Sequence, residues 1–211
     1  MSEGSRLALR PFEDGDTEAV MNLHRNPRVR QMLVDDHPLD EPAQAARFVE
    51  LIQHFYRAHP GLGIWHASDA SGFVGWFSLM PAAGHPGDVE LGSRLLPRAW
   101  GTGLAMEGCE LLLRRAFEVR PQCHVRAACH PANRGARMCL LALGMRSLGM
   151  GPYEGGTALH HGVEITRWQG WMTQTRQVRL RQATQTLRQV AAAADHHGAR
   201  HQRVPADRHA A

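Results

Sequence analysis

The chain has 211 residues, 43% of them hydrophobic, which suits one domain with a sizeable core and excludes a chain disordered throughout. Its net charge of +4 belongs to the tail: residues 1–171 hold 17 Arg against 18 Asp/Glu, and residues 172–211 hold 7 Arg against 2 Asp, so a nucleic-acid-binding body is disfavoured and any RNA contact falls to the tail. No apolar run reaches the roughly 18 residues of a membrane span, and the opening MSEGSRLALRPFEDGD lacks a signal-peptide core, so no membrane partner and a cytoplasmic location are expected.

Leu7–Pro11 reads as a short strand closed by proline, and Asp16 as the cap of a helix to about Arg25 with Ala19, Val20 and Leu23 on one face. A second helical period runs from Glu41 to Tyr56 through Ala45, Phe48, Val49 and Ile52. Leu62–Ala67 and Phe73–Leu79 are strand-like, and Ser68–Gly72 between them is a hairpin signal. A turn at Pro81–Gly87 leads into a strand over Val89–Leu96. Leu104–Phe117 has helical spacing, Cys123–Cys129 is a short strand, and Pro131-Ala132-Asn133 opens a helix that Gly144 ends. Met145–Met150 and Gly162–Trp168 read as the last strands, joined by a glycine-rich turn over Gly149–Gly156. This order predicts an α+β domain with a mixed sheet over residues 1–171. Beyond it, Leu180, Ala183, Leu187, Val190 and Ala194 recur at helical steps, predicting a helical extension over 172–194. Residues 195–211, polar and rich in Arg and His, read as a disordered tail.

Between the Val89–Leu96 strand and the next helix lies Arg98-Ala99-Trp100-Gly101-Thr102-Gly103-Leu104-Ala105. A glycine pair at the mouth of a helix admits a ligand close to the backbone, where unpaired N–H groups and the positive end of the helix dipole suit a phosphate. Arg98 just outside could add a charge-assisted contact. The alternative is a plain strand-to-helix turn. A dinucleotide fingerprint is excluded because Met106 stands where it needs Gly or Ala, and a P-loop because Leu104 follows Gly103 and the chain has no lysine. The four cysteines form no Cys-x-x-Cys pair and read as reduced, packed thiols. The fourteen histidines form no convincing ligand set, so no metal is expected.

Several motifs in order resemble the GNAT superfamily of acyl-CoA-dependent N-acetyltransferases, over about Leu7 to Trp171. They are Leu9-Arg10-Pro11-Phe12 with Asp16, Gly72-Phe73-Val74-Gly75-Trp76, Val89-Glu90-Leu91-Gly92, the Arg98–Ala105 loop with Glu107, and His130-Pro131-Ala132-Asn133 with Gly144-Met145. Within the superfamily the chain looks most like the RimJ/RimL branch, typified by ribosomal-protein N-terminal acetyltransferases. The resemblance implies a mixed, largely antiparallel central sheet flanked by helices, and acetyl-CoA as co-substrate. It implies that backbone N–H groups of Trp100, Gly101, Thr102, Gly103, Leu104 and Ala105 hold the pyrophosphate with Arg98 nearby. It further implies that Leu91 and Gly92 pair with pantetheine amides across splayed strands, and that Asn133 contacts the pantetheine arm. Asn133 also reads as a helix N-cap, and both roles can coexist.

Acetyl transfer needs a neutral amine, and Glu90, a carboxylate inside an apolar strand, is the expected base, directly or through water. Solvent exposure at a strand edge is the competing reading. Ser93, Ala136 and Leu140 replace residues common in relatives. No tyrosine stands at a family acid position, Cys139 beside Leu140 reads as a packed thiol, and the acid is unassigned. Asp35 and Asp36 border the expected acceptor site and read as either a solvated loop or an attraction for a cationic amine. The expected activity is transfer of an acetyl group to a protein N-terminal or small-molecule amine in a ternary complex, by a monomer or homodimer. The alternatives are an aminoglycoside- or polyamine-type acetyltransferase, whose acceptor site should carry several carboxylates, and a catalytically degenerate acyl-CoA-binding regulator.

Overall fold

The computed structural model describes residues 6–35 and 37–201, with backbone alone for 193–201. One seven-stranded sheet runs through the molecule in the order β1-β2-β3-β4-β5-β7-β6, with β1 Ala8–Pro11, β2 Gly63–Asp69, β3 Gly72–Pro81, β4 Val89–Leu95, β5 His124–Cys129, β6 Arg146–Tyr153 and β7 Gly156–Glu164. All neighbours are antiparallel except β4 and β5. The expected α+β sheet flanked by helices is thus the observed fold.

Period-two alternation sends β3 residues to opposite faces. Trp76 packs with Phe12, Val20, Leu23, Val49 and Ile52 beneath α1 (Thr17–Arg25), the short α2 (Pro27–Arg30) and α3 (Pro42–Ala58). Phe77 and Leu79 point the other way, toward α4 (Leu104–Val119) and α5 (Arg134–Ala142). Fully burying one such side chain stabilises the fold by about 1.5–3 kcal/mol, so the two faces together fix the sheet between its helices. Asp16 stands at the N-cap of α1, but its carboxylate turns to Arg10, at 2.7 Å from both Nη atoms, and to the Glu13 N–H.

The C-terminal part departs from the sequence reading. Residues 156–164 form β7, and Ile165–Met172 is a helix, α6, where a strand to Trp168 was expected. Helical spacing of three lets Trp168 enter the core while the Trp171 indole N–H donates to the Ala142 carbonyl at 2.9 Å. The β6–β7 turn is only Glu154-Gly155, both at positive φ (42° and 83°), the conformation of a tight hairpin turn. Gly149, read as part of that turn, instead marks a bulge within β6. The last helix, α7, spans Arg176–His201 and so passes Ala194, because the alanine run 191–194 continues into residues that tolerate helix. Ala183 and Leu187 bury against the body, and α7 packs on α5. The tail expectation for 202–211 lies outside the described residues.

Candidate active site

The ladder between β4 and β5 holds for two residue pairs only, Val89 with Val125 and Glu90 with Arg126. On its other edge β4 stays paired throughout, Leu91 with Leu79 and Gly92 with Ser78. From Leu91 onward the β5-side edge of β4 therefore faces a gap, and β5 continues on β7. Unpaired strand edges seek hydrogen-bonding partners. The gap opens into a cleft of about 1680 Å³ lined by Leu91, Gly92, Ser93, Gly101, Ala105 and Asn133, among others. Leu91 puts its side chain in the core, while Gly92 leaves room for the Ser78 hydroxyl, which a Cβ would meet at 2.4 Å.

At one end of the cleft, Gly101 and Gly103 hold φ of 74° and 90°, values that an L side chain rarely adopts. Thr102 locks the loop, its hydroxyl donating to the Ala99 carbonyl at 2.7 Å and accepting from the Leu104 N–H at 3.4 Å. The Leu104 side chain is core. The N–H groups of Ala105 and Met106 have no acceptor among the described residues, as expected in the first turn of a helix. The Trp100 indole donates to the Leu95 carbonyl at 2.8 Å, and Arg28 lies 5.0 Å over its ring.

Arg98 corrects the sequence reading. Its guanidinium donates to Asp69 at 2.9 and 3.1 Å and to the carbonyls of Gly72 and Phe73 at 2.8 and 2.7 Å, pinning the β2–β3 hairpin. The contact to an anion on the loop was expected from its nearness in sequence and from the resemblance, whereas the side chain lies on the hairpin carboxylate. Asn133 caps α5, its Oδ1 accepting from the Ala136 N–H at 3.0 Å, and it also lines the cleft.

Glu90 occupies the last paired position before the gap and faces the cleft. Its Oε1 accepts a hydrogen bond of 2.6 Å from the Tyr153 hydroxyl, which arrives from the end of β6. Burial raises the Glu90 carboxyl above its ordinary range, the Tyr153 bond pulls it partway back, and the charge of Glu154 raises it. Burial and the charge of Glu90 push Tyr153 well above the usual tyrosine range, so it keeps its proton. Arg126, beside Glu90 in register, is held by Asp88 at 2.8 Å. The base candidate therefore has one oxygen fixed by a tyrosine.

The opposite wall comes from the segment after α2. Asp35 is neither a solvated carboxylate nor a free one: it pairs with Arg94, which also donates to His24 Nε2 at 2.9 Å and lies over Trp76 at 5.3 Å. Burial pushes His24 down to about 4, so it is neutral and can accept. His37 meets Glu154 at 3.3 Å, linking the loop to the β6–β7 hairpin across the cleft mouth. Asp35, His37 and Glu154 bring ligand-type atoms within 4.8 Å of one another, but Asp35 is already neutralised by Arg94. Asp36 lies outside the described residues. Met32, Leu33, Phe48, Leu51 and Met80 make this end largely apolar. Cys139 is a packed thiol: the neighbouring Cys109 thiol and burial raise it well above the usual range. Tyr153 and Arg94 were not identified from the sequence. Both sit on strands whose register decides what they face, and no motif marks them.

Residues 6–146 match the family model described as the acetyltransferase (GNAT) domain. The chain is 31% identical over 121 residues to FsC-acetyl coenzyme A-N(2)-transacetylase of Aspergillus fumigatus, covering 54% of this chain and 51% of that protein. It thus spans about half the length of that curated relative. Among solved structures, the fold is similar to ribosomal-protein-S5-alanine acetyltransferase from Vibrio fischeri, with a TM-score of 0.65, 16% identity, and coverage of 79% of this chain and 97% of that one. A GCN5-related N-acetyltransferase from Brucella melitensis matches with a TM-score of 0.64 and 17% identity, over 84% of this chain and 92% of that one. Three features fit the co-substrate such enzymes use: an open strand edge for amides, a glycine loop with free N–H groups for phosphates, and one cleft lined by both.

Proposed function

The chain belongs to the GNAT acetyltransferase family, and from that premise we propose that it transfers an acetyl group from acetyl-CoA to a primary amine, with Glu90 as the base. The observation that carries this reading is Glu90 at the point where the β4–β5 ladder stops, half-buried, facing the cleft and fixed by Tyr153. Acetyl-CoA supplies a thioester whose carbonyl carbon accepts the amine nitrogen and whose sulfur leaves with a proton. Glu90 takes one proton from the incoming ammonium, and Tyr153 holds the carboxylate toward that proton. A carboxyl raised by burial is a better base than an ordinary one, and positioned bases contribute about 10²–10⁴-fold. The free edge of Leu91 and Gly92 and the cap residue Asn133 would align the pantetheine arm, while the Trp100–Ala105 loop would hold the phosphates.

The acceptor end favours a single amine on an apolar or peptide-like body over a polycation. Of its carboxylates, Asp35 is neutralised by Arg94 and Glu154 is bridged to His37. A protein N-terminal or small-molecule α-amine suits this, in line with the RimJ/RimL resemblance of the motifs. We assign the catalytic domain to residues 1–171, with α7 as its extension. The test is thiol release from acetyl-CoA across N-terminal peptides, lysine peptides, polyamines and aminoglycosides, with Glu90→Gln beside the wild type. The expected result is turnover with an N-terminal or small α-amine that falls about 10²–10⁴-fold in Glu90→Gln. Full activity in Glu90→Gln would remove the base, and acetyl-CoA binding without turnover on any amine would favour a regulator.

A further inference from the structure

Once Arg98 is committed to the β2–β3 hairpin, the glycine loop has lost the cation expected beside it. The structure supplies another. Arg176, the first residue of α7 and well past the family match, lays its guanidinium against Gly103: a Cβ built there would meet Nη2 at 2.1 Å, Cζ at 3.2 Å and Nη1 at 3.4 Å. Only a glycine leaves room for that approach. The charge of Arg176 also reaches the Cys139 thiol on α5, and Cys139 lines the cleft.

Its surroundings are electrostatically one-sided. Helix N-termini favour anions and disfavour cations. Arg176 lies at two of them, that of α7, whose first turn holds no acidic residue, and that of α4 beneath it. The carboxylate in the first turn of α4, Glu107, is engaged by Arg6, which also donates to the Thr102 carbonyl at 3.2 Å. Arg176 itself has no carboxylate or acceptor among the described residues. Packing, rather than a local ion pair, keeps it there: Arg179, one turn along, reaches Glu110 of α4 at 3.5 Å, and Ala183 and Leu187 are buried. A cation held by its helix against the glycine loop, with no counter-charge among the described residues, forms half of an anion site.

We propose that Arg176 binds the pyrophosphate of the acyl-CoA donor beside the glycine loop at the start of α4. This rests on the acetyl-CoA reading above. It makes α7 part of the donor site. Charge-assisted contacts are stronger than neutral ones, and an exposed arginine on a phosphate is worth about a tenfold change in affinity.

The test is calorimetric titration of the full chain with CoA and with dephospho-CoA, for wild type, Arg176→Gln and Arg176→Lys, with a thermal melt of each. Arg176→Gln should raise Kd about tenfold for both ligands with an unchanged melt, because the side chain is exposed. Its affinity should also fall less steeply with added salt, and Arg176→Lys should recover part of the loss. A wild-type Kd in Arg176→Gln overturns the proposal alone. A loss seen with CoA but not with dephospho-CoA overturns the pyrophosphate assignment, placing the arginine on the 3′-phosphate. Wild-type protein that binds neither ligand overturns the transferase reading, a distinct failure.

Discussion

Tyr153→Phe removes one hydroxyl and leaves the ring, with its edge-on contact to His160 at 6.1 Å, in place. What is lost is the 2.6 Å hydrogen bond to Glu90 Oε1. A hydrogen bond to a charged group is worth about 1.5–3 kcal/mol, and the lower end, about 1.5 kcal/mol, already corresponds to roughly tenfold. The loss falls on the ionised form, so the Glu90 carboxyl moves further in the direction burial already takes it. At acidic pH, where few molecules carry the carboxylate, kcat/KM should therefore drop about tenfold, whereas on the alkaline plateau it should stay within about twofold. The assay is thiol release from acetyl-CoA with one fixed amine, from about pH 5.5 to about pH 9. The ratio of the two profiles cancels the titration of the acceptor amine itself. Superimposable profiles would refute Tyr153 as the group that sets Glu90. A uniform loss at every pH would instead make Tyr153 a packing residue.

Arg98→Ala should lower Tm by roughly 2–4 °C through the freed hairpin while changing the Kd for CoA less than about threefold. Tenfold weaker binding with an unmoved Tm would return Arg98 to the phosphate. Asn133→Ala should lose the α5 cap, about 1 kcal/mol, and weaken acetyl-CoA binding too. Asn133→Asp, which keeps the cap but cannot donate to the pantetheine arm, should weaken binding while holding Tm; wild-type affinity in both variants would leave Asn133 as a cap only. His24 and His161 are each pushed down to about 4 by burial, below the unfolded value of about 6.5. Their contribution to stability is present above about pH 6.5 and is lost as pH falls toward 4, with a slope approaching about 2.7 kcal/mol per pH unit for two protons. Glu90, whose carboxyl is raised, acts in the opposite sense and softens that slope. Urea midpoints measured at falling pH check this, and a midpoint flat down to pH 5 would contradict it.

Much of the fold was legible because local signals and packing agreed. Ala45, Val49 and Ile52 of α3 are the buried face that the 3.6-residue period implied, and the glycine loop lies between β4 and α4 as read. The errors cluster where two signals competed. Apolar residues near Trp168 fit a strand over a short window, but Trp168 and Trp171 reach the body from one helical face. Glycine-rich residues 149–156 read as one long turn, yet only Glu154-Gly155 turns, since the bulge at Gly149 lets β6 continue. At the site, Glu90 stood out as a lone carboxylate in an apolar strand. Its partner Tyr153 could not, because the pairing depends on the bulge-shifted β6–β7 register, which no local pattern encodes. Arg98 is a related case. Sequence distance and the resemblance placed it by the loop, whereas its side chain lies on the β2–β3 hairpin with Asp69, a contact that no local pattern encodes.

Hydrogen exchange of the full chain with and without acetyl-CoA bears most directly on whether the β4–β5 gap and the α4 loop hold the donor. The edge of β4 past Glu90 and the first turn of α4 expose N–H groups that an amide-bearing, phosphate-bearing ligand would cover. Saturating acetyl-CoA should slow exchange within residues 91–93 and 101–106 together, and little elsewhere on the β1–β3 side of the sheet. Binding without protection at either segment would contradict the assignment of this cleft to acetyl-CoA.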